Sequence, residues 1–191
     1  MSFQLGGAYV WSDVHAALGA AFVGFGDTLS SAYSARTFQM FGEVALKRQV
    51  GEVMLQPFAG VAHVALFDAQ MSETGGAAAL HGGDSDEHVT HGSLGLRTQA
   101  AFEAGDLGLR LKGAASWRHA FGDRAPTIDL TLSTGLSFRT AGVPIDKDAL
   151  ALDVGLDADL NKAVSLGISY SGSYGDRATD HGARAVLNWR L

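Results

Sequence analysis

Residues 149–174, ALALDVGLDADLNKAVSLGISYSGSY, sort by parity. Leu150, Leu152, Val154, Leu156, Ala158 and Leu160 alternate with Ala151, Asp153, Gly155, Asp157 and Asp159. After a polar break at Asn161 and Lys162, Val164, Leu166, Ile168, Tyr170 and Tyr174 alternate with Ser165, Gly167, Ser169, Ser171 and Ser173. A period of two marks a strand with two chemically different faces, so the stretch predicts two strands joined by a tight turn. Each is as long as the ~9 to 11 residues with which a tilted strand crosses a bilayer. A half-buried hairpin of a soluble β-sandwich shares the pattern, and the rest of the chain must separate the two.

The alternation recurs. Phe3, Leu5, Tyr9 and Trp11 alternate with Gln4, Gly6, Ala8 and Val10, and a long connection is expected over residues 12–36. Phe38, Met40, Gly42, Val44 and Leu46 oppose Gln39, Phe41, Glu43, Ala45 and Lys47, with a short break at residues 48–53. Leu55, Pro57, Ala59 and Val61 oppose Gln56, Phe58, Gly60 and Ala62, and a polar loop follows over residues 68–88. Leu94, Leu96, Ala100 and Phe102 oppose Ser93, Gly95, Arg97 and Gln99; after a turn at residues 103–106, Leu107, Leu109, Leu111, Ala115 and Trp117 oppose Arg110, Lys112, Ser116 and Arg118. Residues 122–148 carry their own alternation at Ile128, Leu130, Leu132, Leu136 and Phe138, which predicts an extra hairpin or extensions of the flanking strands. Past the loop 175–180, Ala185, Leu187, Trp189 and Leu191 oppose Arg184, Val186, Asn188 and Arg190.

The sum is eight strands whose connections are mostly long after the odd strands and short after the even ones. A sandwich has no reason to sort its loops by end, whereas an outer-membrane meander does. The expected fold is therefore all-β, an antiparallel up-and-down transmembrane β-barrel, with residues 1–191 as a single domain. Glu43, Lys47, Arg97, Arg110, Lys112, Arg118, Asp153, Asp157, Asp159, Arg184 and Arg190 all take the parity opposite to the apolar band. In lipid that parity faces a lumen, and the apolar one faces the hydrocarbon. Phe3, Trp11, Phe102, Trp117, Tyr170 and Trp189 then read as interface aromatics.

Composition agrees. Hydrophobic content is 47% with no run long enough for a membrane-spanning helix, and charged residues are only 18%, below the ~25% of ordinary soluble domains. A net charge of -6 argues against a nucleic-acid partner, and the absence of Cys leaves no disulfide, thiolate metal site or thiol nucleophile. The first residues, MSFQLGGAYVW, have no basic or apolar leader, so an export signal is expected to have been removed or to lie upstream.

In the stretches FQMFGEVALKR, LQPFAGVAHV, GGAAAL, GSLGLRTQ, WRHAFGD, GLSFRTAGVPIDKDALALDVGLD and VSLGISYSGSYGDRATDHGARAVLNWRL, taken in order over nearly the whole chain, the sequence resembles the C-terminal translocator β-barrel of autotransporters. These are the type V secretion proteins of Gram-negative bacteria. The resemblance implies an outer-membrane domain that anchors and helps export an N-terminal passenger polypeptide, with lipids and the outer-membrane assembly machinery as partners. Family barrels have about twelve strands and a helix that threads the pore, so the chain resembles the last eight strands only, without helix or passenger. The family's last strand usually ends in an aromatic; here Leu187, Trp189 and Leu191 carry the alternating pattern that the assembly machinery would read. Because eight is an even count, the first and last strands are expected to pair, closing a barrel whose lumen the charges fill as a plug.

No catalytic, cofactor or metal site is predicted. His81, Asp84, Asp86, Glu87, His88 and His91 lie close in sequence but fit neither a helical His pair nor a calcium loop, and read as a solvated loop. Ser116, His119 and Asp123 are the least implausible nucleophilic trio, yet parity turns His119 away from the lumen. Asp153, Asp157 and Asp159 could act as paired carboxylates, but are expected to pair with lumenal Arg and Lys instead. A small outer-membrane channel or enzyme is the alternative reading.

Overall fold

The computed structural model describes residues 1–22, 24–68, 71–83, 85–105 and 107–189. Their strands are β1 (Ser2–Phe22), β2 (Phe25–Ala45), β3 (Arg48–Val50), β4 (Val53–Asp68), β5 (Glu73–Thr74), β6 (Leu80–Gly82), β7 (Ser85–Ala104), β8 (Leu107–Gly122), β9 (Thr127–Leu132), β10 (Ser137–Ala141), β11 (Asp148–Asp159), β12 (Val164–Gly175) and β13 (Thr179–Trp189). The order β1-β2-β4-β7-β8-β11-β12-β13 is an antiparallel meander curled into a half-barrel. A second, three-stranded sheet of order β10-β9-β6 stands on the long connections.

The short turns have local causes. Asn161 Oδ1 accepts the N–H groups of Ala163 and Val164 at 2.8 and 2.9 Å, an Asx turn that reverses β11 into β12. β3 continues β2 after a gap at Leu46 and Lys47, since Arg48 pairs with Leu55 in the register that pairs Ala45 with Phe58. The gap lies opposite Pro57, whose carbonyl takes the Leu46 N–H at 3.0 Å but which has no N–H to return.

The first connection differs from expectation. Residues 12–36 form no loop: β1 ends at Phe22 and β2 begins at Phe25, with direct pairs from Ser2↔Ala45 to Phe22↔Phe25. The lipid-type alternation stops where Trp11 faces Arg36 and Asp13 faces Ser34, and polar residues then occur on both faces. The backbone ladder needs no apolar parity and continues. For the same reason β7 starts at Ser85, within the segment expected to be loop, while β4 ends at Asp68, where that loop is expected to begin.

Closure is the larger correction. Among the described residues β1 and β13 share no ladder, and the side chains of Phe3 and Trp189 on these two strands are 71% and 72% exposed. The polar side chains that were expected to fill a narrow lumen instead reach partners one or two strands away, and so brace a wide arc rather than meet across a closed one. The tilt of the wall is legible in its register: the row of direct partners Phe3, Val44, Ala59, Leu94, Trp117, Leu150, Tyr174 and Thr179 starts near the first residue of β1 and ends at the first residue of β13. Such a stagger belongs to a sheet rolled about an axis inclined to its strands.

Buried side chains are few and gather at the loop end of the sheet. Leu29, Ala79, Ala120 and Leu130 are there, with Ala45 and Ala65 as small residues in the wall.

Candidate functional site

Pairing partners in an antiparallel sheet point the same way, so the register assigns each face. One row joins Gln4, Glu43, Gly60, Ser93, Arg118 and Ala149; another joins Gln56, Arg97, Ala114, Asp153, Ser171 and Gly182. Lys112 opposes Gly155, Arg110 opposes Asp157, Gly108 opposes Asp159, and Arg184 opposes Ser169. Glu43, Arg97, Arg110, Lys112, Arg118, Asp153, Asp157, Asp159 and Arg184 thus stand on one face. Lys47 falls in the gap after β2, and Arg190 and Leu191 lie outside the described residues.

This face is concave and cross-braced. Arg97 clasps Glu43 through both guanidinium nitrogens, at 2.6 and 2.7 Å, reaching from β7 over β4 to β2. The direct β4 partner of Glu43 is Gly60, which adds no side chain there, and the reach passes over Phe58. The Arg97 guanidinium also lies 3.8 Å above the Phe58 ring, whose direct partner is Gly95; a Cβ there would come within 2.5 Å of the ring. Phe41 lies over Gly6 in the same manner. On β8 and β11, Lys112 pairs with Asp157, Arg110 lies 3.8 Å from Asp157, and Arg110 lies 4.0 Å from Asp159. Arg118 crosses β11 to donate to Ser173 Oγ on β12 at 2.7 Å. A groove of about 550 Å³ runs along the face past Gln56, Arg97, Lys112, Asp153 and Arg184.

The opposite face is convex and apolar. Phe3 opposes Val44, Phe102 opposes Leu109, and Trp189 opposes Val164, all near the turn end; Trp117 stands between Leu94 and Leu150 toward the loop end. Trp11 marks the top of the apolar stretch on β1, Leu187 opposes Leu166, and Tyr170 lies mid-strand opposite Val154. Two polar clusters on this face go beyond what the sequence pattern predicts. Tyr170 Oη bonds Tyr174 Oη at 2.6 Å and His181 Nδ1 at 2.7 Å. Asp148 takes the Trp117 indole N–H at 2.9 Å and meets His119 Nδ1 at 2.7 Å, with the Phe121 ring tilted against His119. The signal for both was in the sequence, since His, Tyr and Trp end the apolar columns of β8, β12 and β13.

The weaker constellations do not assemble. His119 and Ser116 project from opposite faces. Asp86 and His88 take the convex parity, Glu87 and His91 the concave one, and His81 is held by Ser72 Oγ at 3.0 Å. Asp84 lies outside the described residues, and among those described no three His, Asp or Glu side chains converge as a metal site. On the small sheet, Arg139 grips Asp129 through two bonds of 2.7 and 2.8 Å, and this hydrogen-bonded cation holds the exposed carboxyl below its ordinary range.

Comparison with known proteins places this wall. A sequence model of the family described as "Autotransporter beta-domain" matches residues 1–171. Two relatives from Serratia marcescens, both named "Extracellular serine protease", are each 29% identical over 192 residues, an alignment that takes in 100% of this chain and 18% of theirs. The chain therefore spans under a fifth of the curated relatives it matches.

Proposed function

Because the chain belongs to the autotransporter β-domain family, we propose that this type V secretion translocator unit of the Gram-negative outer membrane is one sector of a wider barrel, its two free edges completed by further strands of a longer polypeptide. The convex face meets lipid, the concave face lines the lumen, and Phe3, Phe102, Trp189 and Trp117 lie at the two interfaces. The observation that carries this reading is an eight-stranded wall sorted into apolar and polar faces whose outer edges, on β1 and β13, carry no ladder among the described residues. Left bare in lipid, each unsatisfied N–H and C=O along those edges would cost several kcal/mol.

In this role the wall does no chemistry. The serine protease activity named for the relatives belongs to proteins more than five times as long, and here the passenger and its activity are assigned to sequence outside this wall. The charged pairs keep the lumen hydrated while holding its curvature, so a polypeptide passes a surface with charges of both signs and no sticky apolar stripe. Leu187, Trp189 and Leu191 form the alternating signal that the outer-membrane assembly machinery engages.

Cysteine pairs test closure. Cysteines placed singly on the free edge of β1 and on strands upstream in the full-length protein should cross-link within one molecule. Cross-links between β1 and β13 of one chain would instead restore a closed eight-stranded barrel, and links between two copies would make it a dimer.

A further inference from the structure

We propose that residues 75–79, gripped between Asp27 on one side and Ser133 on the other, form a latch across the loop-end mouth of the lumen. The inference rests on the lumenal reading of the concave face. On β2 the parity of Glu43 continues outward through Ser31, Leu29 and Asp27. Ser31 and Leu29 are 9% and 3% exposed, so this part of the concave face is covered.

The cover is the GGAAAL turn. β5 continues the ladder on β2 through Ser30↔Thr74 and Ser31↔Glu73. The chain then presses onto β2 so closely that a Cβ on Gly75 would overlap the Thr28 carbonyl, and one on Gly76 would overlap the Asp27 carboxylate. Asp27 Oδ2 accepts the Ala78 N–H at 3.1 Å. From the other side, Ser133 N–H donates to the Ala79 carbonyl at 2.8 Å, and its hydroxyl reaches the Gly76 and Ala79 carbonyls at 3.0 Å. Leu80 pairs with Leu132 where β6 joins β9, and Ala79 and Leu130 are buried beneath.

The topology gives these contacts their meaning. Ser133 belongs to the connection from β8 to β11, and Asp27 to β2, with β4 and β7 between them in the sheet. Asp27 carries the concave parity and lies eight residues beyond the last β2–β4 pair, Ala35↔Asp68, so the bridge runs above the ends of β4 and β7 at the rim of the concave face. In the latch, a polypeptide leaving the lumen displaces this bridge, and an empty lumen lets it close. The grip is a few hydrogen bonds and a close glycine contact, strong enough to hold and weak enough to part.

Conductance of the purified full-length protein in planar bilayers tests the latch, with wild type, Asp27→Ala, Gly76→Val and Asp129→Ala compared. Asp129→Ala breaks the exposed pair with Arg139 on the same cap and should leave conductance unchanged. Loss of one hydrogen bond to a charged group should raise the open fraction about tenfold in Asp27→Ala, and Gly76→Val should do the same. The chain has no cysteine, so an Asp27→Cys/Ala78→Cys pair, its folding checked by heat modifiability, offers a second arm: closed when oxidised, open when reduced. Equal conductance in wild type, both openings and both redox states, with heat-modifiable barrel present in each, would overturn the latch alone. Failure of wild type to insert as a heat-modifiable barrel would overturn the lumenal reading and the latch with it.

Discussion

Gly95→Ala should be among the most damaging single-methyl additions in the wall. An added Cβ would come within 2.5 Å of the Phe58 ring and 2.7 Å of the Ala115 carbonyl on the neighbouring strand. The carbonyl belongs to a ladder and cannot retreat; the ring can, but only by leaving the Arg97 guanidinium 3.8 Å above it. Overpacking of this kind costs about 1–3 kcal/mol, and a cation–π contact at a partly exposed site about 0.5–1 kcal/mol, so the expected loss is about 2–4 kcal/mol. Gly19→Ala is the control, because nothing lies within 4 Å of its Cβ position and alanine costs less chain entropy. Urea titration of the protein refolded into lipid vesicles measures both. At a slope of about 2 kcal/mol/M the midpoint should fall by about 1–2 M for Gly95→Ala and hardly move for Gly19→Ala. In a Phe58→Ala background the cost of Gly95→Ala should shrink to its backbone part. Equal midpoints for the two glycine variants, or an unchanged cost without the ring, would refute the stacking argument.

Val154, on the convex face at the middle of β11 and 55% exposed, should lose about 2–4 kcal/mol as Val154→Arg if it meets the bilayer midplane, while Asp153→Asn on the concave face should cost well under half of that in the same titration. Asp129 should titrate below an ordinary aspartate by NMR, because its hydrogen-bonded Arg139 favours the carboxylate. A depressed folded value stabilises the β9–β10 hairpin above the unfolded pKa and is lost as pH falls through the folded one, and Arg139→Gln should return the midpoint to the ordinary range. Protease added outside intact cells should cut beside Leu136 or Val143, which are 65% and 87% exposed on the long connection after β8.

What the sequence discloses follows from where solvent changes. Between Phe3 and Trp11, or Leu150 and Ala158, apolar and polar residues alternate, as different solvents on the two faces would require, and the parity of the wall strands is legible, least clearly in β4. From Asp13, His15 and Arg36 onward polar residues occur on both faces, the alternation stops, and the β1–β2 hairpin reads as loop although its ladder runs on to Phe22. The covering turn escaped for a related reason. Gly75 and Gly76 are required by contacts with Thr28 and Asp27, far away in sequence, and no periodicity encodes such a meeting. Closure is not legible in the sequence, because an even strand count permits pairing of the ends without requiring it. The stacking of Phe58 on Gly95 and Phe41 on Gly6 was in principle legible once registers were assigned, since each glycine is the direct partner of an inward aromatic.

The central claim is that one face of the wall meets lipid and the other water. Single cysteines at residues 150–158 of β11, introduced into a chain that has none of its own, carry a spin label whose collisions with oxygen and with a water-soluble nickel chelate report each environment. Oxygen contact should peak at 150, 152, 154, 156 and 158 and nickel contact at 151, 153, 155 and 157, a period of two in opposite phase. Parallel profiles for the two reagents, with no alternation, would contradict the account.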